Sequence, residues 1–354
     1  MMTRWMMALG LLLGLSGIVE AAPDPYRMKL QPSYSFRIFA ADVPDARLMQ
    51  LTPKGDILVS TYREGGIVLL QADRDGDGKS DGMKRLVSGL DLPHGLWLEA
   101  GKLYIAEQTE VSVYDFDGAT LINRRLLLSG MPGDGGHASR TIKRGPDGWL
   151  YVSIGSSCNV CIEDHPWRAV MLRLKEGGTP EIFARGLRNT VSFDWQPGTD
   201  ALYGVDNGRD MLGDDIPDDE LNLMAQGRHY GWPYAFNKNE PDPDFGGKLP
   251  TGLELMPLAH GFGAHVAPLS IRFLKDGRAL VAEHGSWNRS EKVGYRVVAL
   301  TWEKDGSIRE EVFMEGCLDG QNVLCRPVDV IEASDGTVYV SDDTANAIYA
   351  ISRD

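Results

Sequence analysis

The chain has 354 residues, 43% of them hydrophobic and 24% charged, which is enough apolar material for a large core and too much for a disordered polymer. Its formal net charge of −14 argues against nucleic acid or an anionic membrane surface as a partner.

In chain order, the first 21 residues read as a secretory signal: Arg4, an apolar run from Trp5 to Val19, then a small-residue cleavage site ending at Ala21. The run is too short and one-sided for a stable membrane span, so the protein is expected to be exported, periplasmic or secreted. Cleavage would remove Arg4 and Glu20, one charge of each sign, and leave the net charge at −14.

From Asp56 onward a turn followed by an alternating apolar strand returns six times: Asp56–Tyr62, Lys102–Glu107, Gly148–Ile154, Asp200–Val205, Gly277–Glu283 and Gly336–Asp342. The spacing, roughly 45 to 75 residues, is that of a repeated supersecondary unit. Each unit has an apolar segment before the turn, such as Leu48–Leu51 or Leu269–Phe273, and a partner strand after it, such as Ile67–Leu70 or Ile348–Ile351. Three or four short antiparallel strands per unit, with no helical periodicity, predict an all-β fold, a six-bladed β-propeller occupying residues 22–354.

In an antiparallel meander, the segment leading into the first strand and the loop joining the second strand to the third lie at one end. The lead-in segments carry Arg47, His94, His137, Arg188 with Asn189, His265 and Arg326, and the longest loops run over 155–168, 206–218 and 283–294. One face is therefore predicted to gather polar side chains over a channel walled by loops. A single histidine there is more often a structural hydrogen bonder than a base, which weighs on His94 and His265, and Arg47 reads best as a surface or blade-bridging ion pair. The four cysteines fall as Cys158 with Cys161 and Cys317 with Cys325, and two local disulfides suit the exported compartment.

The densest polar stretch runs from Arg185 to Pro233 and includes Arg188-Asn189, Asp206-Asn-Gly-Arg209, Asp218-Asp-Glu220 and Tyr230-Gly-Trp-Pro233. A guanidinium fork beside an amide suits carboxylates and carbonyl oxygens, and backbone carbonyls at turn glycines suit a hard cation. Asp73, Asp75, Asp77 and Asp81 stand at positions one, three, five and nine of a calcium-type loop with glycine at six; Lys84 stands where the closing glutamate belongs. A structural calcium site and a solvated acidic turn both remain open for it.

With these motifs in order, from His137 ahead of Gly145-Pro-Asp147 to Tyr230-Gly-Trp-Pro233, the chain from about Leu48 onward resembles the quinoprotein sugar dehydrogenases of the soluble glucose dehydrogenase and sorbosone dehydrogenase type. The resemblance implies pyrroloquinoline quinone and Ca2+ as cofactors. It also implies a small sugar as substrate, an aldose, pyranose or sorbosone-like compound, and a downstream acceptor such as a cytochrome or quinone. It makes His137 the base that takes a hydroxyl proton while hydride passes to the quinone, a role open to a neutral imidazole near pH 7. It assigns Arg188, Asn189 and Arg326 to the cofactor, with His94 a further candidate, and the carbonyls of Gly208 and Arg209 to a calcium acting as Lewis acid. Asp219, Glu220 and Tyr230 match a second, structural calcium.

The departures are specific. Gly136 replaces the aspartate that precedes the base in soluble glucose dehydrogenases, so the group orienting His137 has to be found. A second cofactor arginine falls on Val328, and the cofactor lysine has no aligned match, which makes Arg289 or Lys292 in the inserted segment 285–292 the substitutes. These features point to the sorbosone or pyranose branch rather than to glucose. Rival readings are a calcium-dependent lactonase on the same fold and a non-enzymatic propeller that binds sugars or proteins.

Overall fold

In every repeat the strand legible in the sequence is the second of an antiparallel sheet, four-stranded in five blades and five-stranded in the fifth, where Lys29–Leu30 adds an edge, in the computed structural model, which describes residues 27–354. The expected signal segment lies outside the described residues. The second strands are Ile57–Thr61, Lys102–Ala106, Leu150–Ile154, Leu202–Asp206, Ala279–Glu283 and Val338–Asp342. All but Lys102 and Tyr339 are buried, since each strand packs a neighbouring blade on both faces.

The first strands, Ala46–Leu51, Gly95–Glu99, Arg140–Arg144, Thr190–Trp195, Pro268–Phe273 and Pro327–Glu332, pack side by side in a closed ring around the axis. Six blades result, as expected. The outer strands are the part the repeat pattern does not announce. Those of blades one to five are Met83–Ser88, Leu121–Ser129, Glu181–Arg185, His260–Gly261 and Ile308–Glu315, while blade six takes its outer strand, Tyr34–Ala40, from the start of the described chain. That strand pairs antiparallel with Ala347–Arg353, so the two chain ends close the ring. Among the described residues the only helical turn is Gly246–Lys248, in the long excursion of blade four.

The core sits between the blades. Leu58 and Ile67 of blade one pack on Leu96 and Ile105 of blade two, and comparable apolar layers fill each of the other five interfaces. At the hub, charges pair across blades: Lys143 Nζ lies 2.8 Å from Asp194 and Arg272 Nη2 3.0 Å from Asp329. Asp329 also accepts the Met49 amide at 2.8 Å, and buried ionic groups satisfied this way fix blade register. Both expected disulfides are present, Cys158 to Cys161 and Cys317 to Cys325.

Candidate active site

One end of the channel opens into a cavity of about 360 Å³. Arg47, His137, Arg188, Asn189, His265 and Arg326 line it from the lead-in segments, and Asn207, Gly208, Asp210, His284 and Trp287 from the loops after the second strands. Side chains far apart in sequence therefore meet on the expected face, in a space of the size that holds a small organic ligand. Trp287 is 69% exposed and forms part of the rim. Beneath it, Val191, Leu269 and Val328 make a small apolar patch, so the position where the resemblance calls for a second arginine is dry core.

His137 is held by Nδ1, which lies 3.0 Å from the Ser156 carbonyl and 2.9 Å from Ser156 Oγ. The Ser156 hydroxyl donates its own proton to the Cys158 carbonyl at 2.7 Å. Both oxygens are therefore acceptors toward the ring, which places the imidazole proton on Nδ1 and leaves Nε2 as the free acceptor. Burial, and next the positive charge of Arg188, lower the His137 pKa to about 3, so the ring is neutral at ordinary pH. Ser156 supplies the orienting contact that Gly136 does not. Gly155 lets this happen, because a Cβ there would lie 2.7 Å from both His137 Cβ and Asn189 Oδ1.

Arg188 is buried and highly engaged. Nε donates to the Asn159 carbonyl at 2.9 Å, Nη1 to the Asn207 carbonyl at 3.0 Å, and Nη2 to Asn159 Oδ1 at 2.9 Å and Asp210 Oδ2 at 3.1 Å. One Nη1 proton of its five is left. The neighbouring Asn189 donates its backbone amide to Asp206, and its side-chain amide has no hydrogen bond among the described residues. Arg326 donates to the carbonyls of His284 and Gly285 at 3.0 and 2.9 Å, and its Nη1 has no hydrogen bond among the described residues.

Arg47 bridges blades one and six through Asp343 at 2.8 Å, and His284 Nε2 lies 2.9 Å from the other Asp343 oxygen. Those two contacts keep Asp343 ionised well below the usual carboxylate range. His94 is absent from the wall. It lies fully buried below, between Arg47 Nη2 at 3.5 Å and Thr141 Oγ1 at 3.2 Å, so it is corrected to a hub residue.

Gly208 reaches the cavity, and its amide donates to Asp219 Oδ1 at 2.7 Å. The Arg209 side chain turns away to Asp242 at 2.6 Å and Asp244 at 3.1 Å. Arg209, Glu220, Tyr230 and Asp206 line a smaller adjoining pocket. Burial raises the pKa values of Asp206, Asp219 and Glu220 to about 6, 7 and 8.

Arg289 and Lys292 do not reach the central cavity. They line a separate cavity of about 610 Å³, where Arg289 pairs with Asp215 at 3.1 Å and Lys292 donates to the Gln321 carbonyl at 2.9 Å. Their assignment as substitutes for the cofactor lysine is thereby corrected. The acidic loop 71–82 joins the third and outer strands of blade one, at the opposite end of the propeller. Oxygens of Asp73, Asp75 and Asp81 lie within 4.8 Å of one another, whereas Asp77 accepts the Lys79 amide and stays outside the group. The residues that sequence reasoning missed are Ser156, Asn159 and Asp210, which act through backbone oxygens or contacts between blades and leave little signature.

Comparison with known proteins agrees with this architecture. The chain is 37% identical over 228 residues to an uncharacterised protein of Borreliella burgdorferi, an alignment covering 61% of this chain and 60% of the relative. Over a 418-residue alignment it is 25% identical to the pyrroloquinoline quinone-dependent pyranose dehydrogenase of Coprinopsis cinerea, covering 94% of this chain and 56% of the relative. The chain thus spans less than two thirds of both relatives. Among solved structures, the Trichoderma reesei enzyme of carbohydrate-active family AA12 superposes with TM-score 0.80 at 22% identity, covering 92% of this chain and 98% of that one. The holo PQQ domain of the Coprinopsis enzyme superposes with TM-score 0.78 at 18% identity, covering 93% and 98%. The PQQ-bound aldose sugar dehydrogenase of Streptomyces coelicolor does so with TM-score 0.66 at 18% identity, covering 92% and 100%. At such identities the structural likeness is one of fold, but the TrAA12-like family matches directly over residues 28–256 and 255–354, and the chain belongs to that family.

Proposed function

We propose that this chain is a pyrroloquinoline quinone-dependent sugar oxidoreductase working in the 360 Å³ cavity. The observation that carries the reading is the convergence of a neutral, Nδ1-anchored imidazole with three arginines and an unengaged amide. The donor set fits the cofactor: an acidic, oxygen-rich ring system needs cations and N–H groups, and Arg47, Arg188, Arg326 and Asn189 provide them. Pyrroloquinoline quinone, when bound, supplies a two-electron acceptor.

The chain's own residues do the rest. His137 Nε2 accepts the proton of a sugar hydroxyl, and the Ser156 contacts keep that nitrogen free. Arg188 and Asn189 would hold and polarise the quinone oxygens, and Arg326 with Arg47 would meet carboxylates. The carbonyls of Gly208 and Arg209 would hold Ca2+ beside them, and Asp219, Glu220 and the Tyr230 carbonyl would hold a second ion; a bound cation would supply Lewis-acid and structural charge there. Trp287 offers an exposed indole face on which the apolar side of a pyranose ring stacks. A calcium lactonase is disfavoured, since it needs carboxylate and amide ligands free to meet on the axis, whereas Asp210 is tied to Arg188 and Asn207 to the Pro268 carbonyl. A cytochrome or quinone would take the reducing equivalents, and an exported location would suit that exchange; no helix among the described residues is long and apolar enough to cross a membrane.

The test is to add pyrroloquinoline quinone and Ca2+ to the purified apoprotein and measure dye reduction with aldoses, pyranoses and sorbosone. Reduction that needs both additions is expected, and His137→Ala should retain cofactor while losing turnover. No spectral change and no reduction with any sugar would overturn the reading.

A further inference from the structure

The loop Ser156–Cys161 touches both principal groups of the site. Its Ser156 amide donates to the Arg188 carbonyl at 2.8 Å, and its Ser156 oxygens hold His137. Three residues on, Asn159 makes five hydrogen bonds. Its carbonyl accepts from Arg188 Nε at 2.9 Å and Trp232 Nε1 at 3.2 Å, and its Oδ1 from Arg188 Nη2 at 2.9 Å and the Asp210 amide at 2.8 Å. Its Nδ2 donates to the Asp210 carbonyl at 3.0 Å. Asn159 thus ties blade three to two loops of blade four, and it grips the guanidinium on two sides.

We infer that Asn159, clamped by the Cys158–Cys161 disulfide, is a positioning residue for the cofactor arginine, and that the same clamp sets the tautomer of His137. The inference rests on the proposed function only in naming what Arg188 and His137 are positioned for.

The physical argument is one of competing partners. Arg188 has Asp210 3.1 Å from Nη2 and feels the negative charges of Asp206 and Asp219. Without Asn159, the guanidinium would swing toward carboxylates, and its remaining Nη1 proton would no longer face a ligand. Two acceptors on one asparagine, main chain and side chain, fix the plane of the fork. They can do so only if the four-residue turn carrying them keeps one conformation, and a bond between Cys158 and Cys161 removes most alternatives. The Cys158 carbonyl lies inside the same turn. By accepting the Ser156 hydroxyl proton it makes Ser156 Oγ an acceptor toward His137; loosening the turn frees that hydroxyl to donate to Nδ1 in competition with the Ser156 carbonyl, which still favours Nδ1–H, and so admits the other tautomer beside the first.

The two disulfides differ in access: Cys317 and Cys325 are fully buried, whereas Cys158 and Cys161 are only partly buried. A mild dithiol therefore reduces the clamp first, giving two thiols while the reagent closes to its own disulfide.

The experiment uses the full-length mature chain with 15N-labelled histidine. The tautomer of His137 is read by long-range 15N–1H NMR on the apoprotein, and the affinity for pyrroloquinoline quinone with Ca2+ by absorbance titration. Native protein is expected to show the Nδ1–H form. Cys158→Ser with Cys161→Ser, or mild reduction of folded native protein, should give a mixture of tautomers. Asn159→Ala should keep the tautomer and weaken cofactor binding at least about tenfold, as expected for losing bonds to a charged group. Asn159→Asp, which keeps both acceptors toward Arg188, should restore most of that loss.

An unchanged tautomer in both the reduced protein and the double variant would overturn the role of the clamp. Equal loss in the alanine and aspartate variants would overturn the role of Asn159. If native protein binds no quinone while the tautomer still responds to reduction, the proposed function fails and the positioning of His137 stands.

Discussion

Replacing Gly155 by alanine places a methyl carbon 2.7 Å from both His137 Cβ and Asn189 Oδ1. Carbon atoms in contact prefer about 3.5–4.0 Å, so one or both side chains must retreat by about 1 Å. Retreat of His137 is constrained by its Nδ1 anchor on Ser156, whereas the Asn189 side chain, with only its backbone amide tied to Asp206 at 3.0 Å, is the freer of the two to move. Overpacking of this kind costs about 1–3 kcal/mol, which in a domain of this size lowers the thermal midpoint by on the order of 2–5 °C. The larger effect is on chemistry, since moving a catalytic group by about 1 Å is worth on the order of a hundredfold in rate. Differential scanning calorimetry and dye-reduction kinetics on the cofactor-loaded Gly155→Ala variant provide the assay. A variant with native midpoint and native kcat would show that His137 and Asn189 do not share the crowded space described, and the reasoning would fail.

Three further outcomes are expected. The folded-state pKa of His137, about 3, lies below its unfolded value of about 6.5, so only the unfolded chain takes up this proton between those values. The resulting loss of stability appears as pH falls below about 6.5 and is absent above it; urea midpoints of His137→Gln should therefore drop less between pH 6.5 and 4.5 than those of native apoprotein, and parallel curves would contradict the burial argument. Calcium at a hundredfold excess over its dissociation constant should add about 2.7 kcal/mol to the stability of the apoprotein, reversed by chelator and diminished in Glu220→Gln; a midpoint indifferent to calcium would remove the cation from the account. Trp287→Ala should raise KM for sugar several-fold with little change in kcat, whereas Trp287→Phe should stay near native; a selective loss of kcat would place the indole at the reacting atoms instead of at the rim.

The blades were legible wherever a strand is buried on both faces and starts from a turn glycine or aspartate, as at Leu150–Ile154 and Ala279–Glu283. Outer strands lack that signal. Met83–Ser88 and Leu121–Ser129 face water along much of their length, and that of blade four is only His260–Gly261, paired with Glu220 and Leu221. The pairing of Tyr34–Ala40 with the last strand depends on closure of the ring, which no local pattern encodes. At the site, His137, Arg188, Asn189 and Arg326 were findable because the antiparallel meander sends all lead-in segments to one end. For Arg289 and Lys292 the sequence offers only charge and a place in the inserted segment 285–292, and the fold satisfies them with Asp215 and Gln321. Ser156 and Asn159 act through main-chain oxygens as well as side chains, and main-chain contacts carry no residue-type signature; the only hint was their place in the loop after a second strand.

The central claim, that a quinone is held among the groups gathered at one end of the channel, is tested most directly by a crystal structure of the mature chain grown with pyrroloquinoline quinone and Ca2+. The account predicts the quinone within hydrogen-bond distance of Arg188, Asn189 and Arg326, with His137 Nε2 facing the open side where Trp287 stands. A quinone bound in the cavity beside Arg289 and Lys292, or a central cavity filled only by water at saturating cofactor, would contradict it.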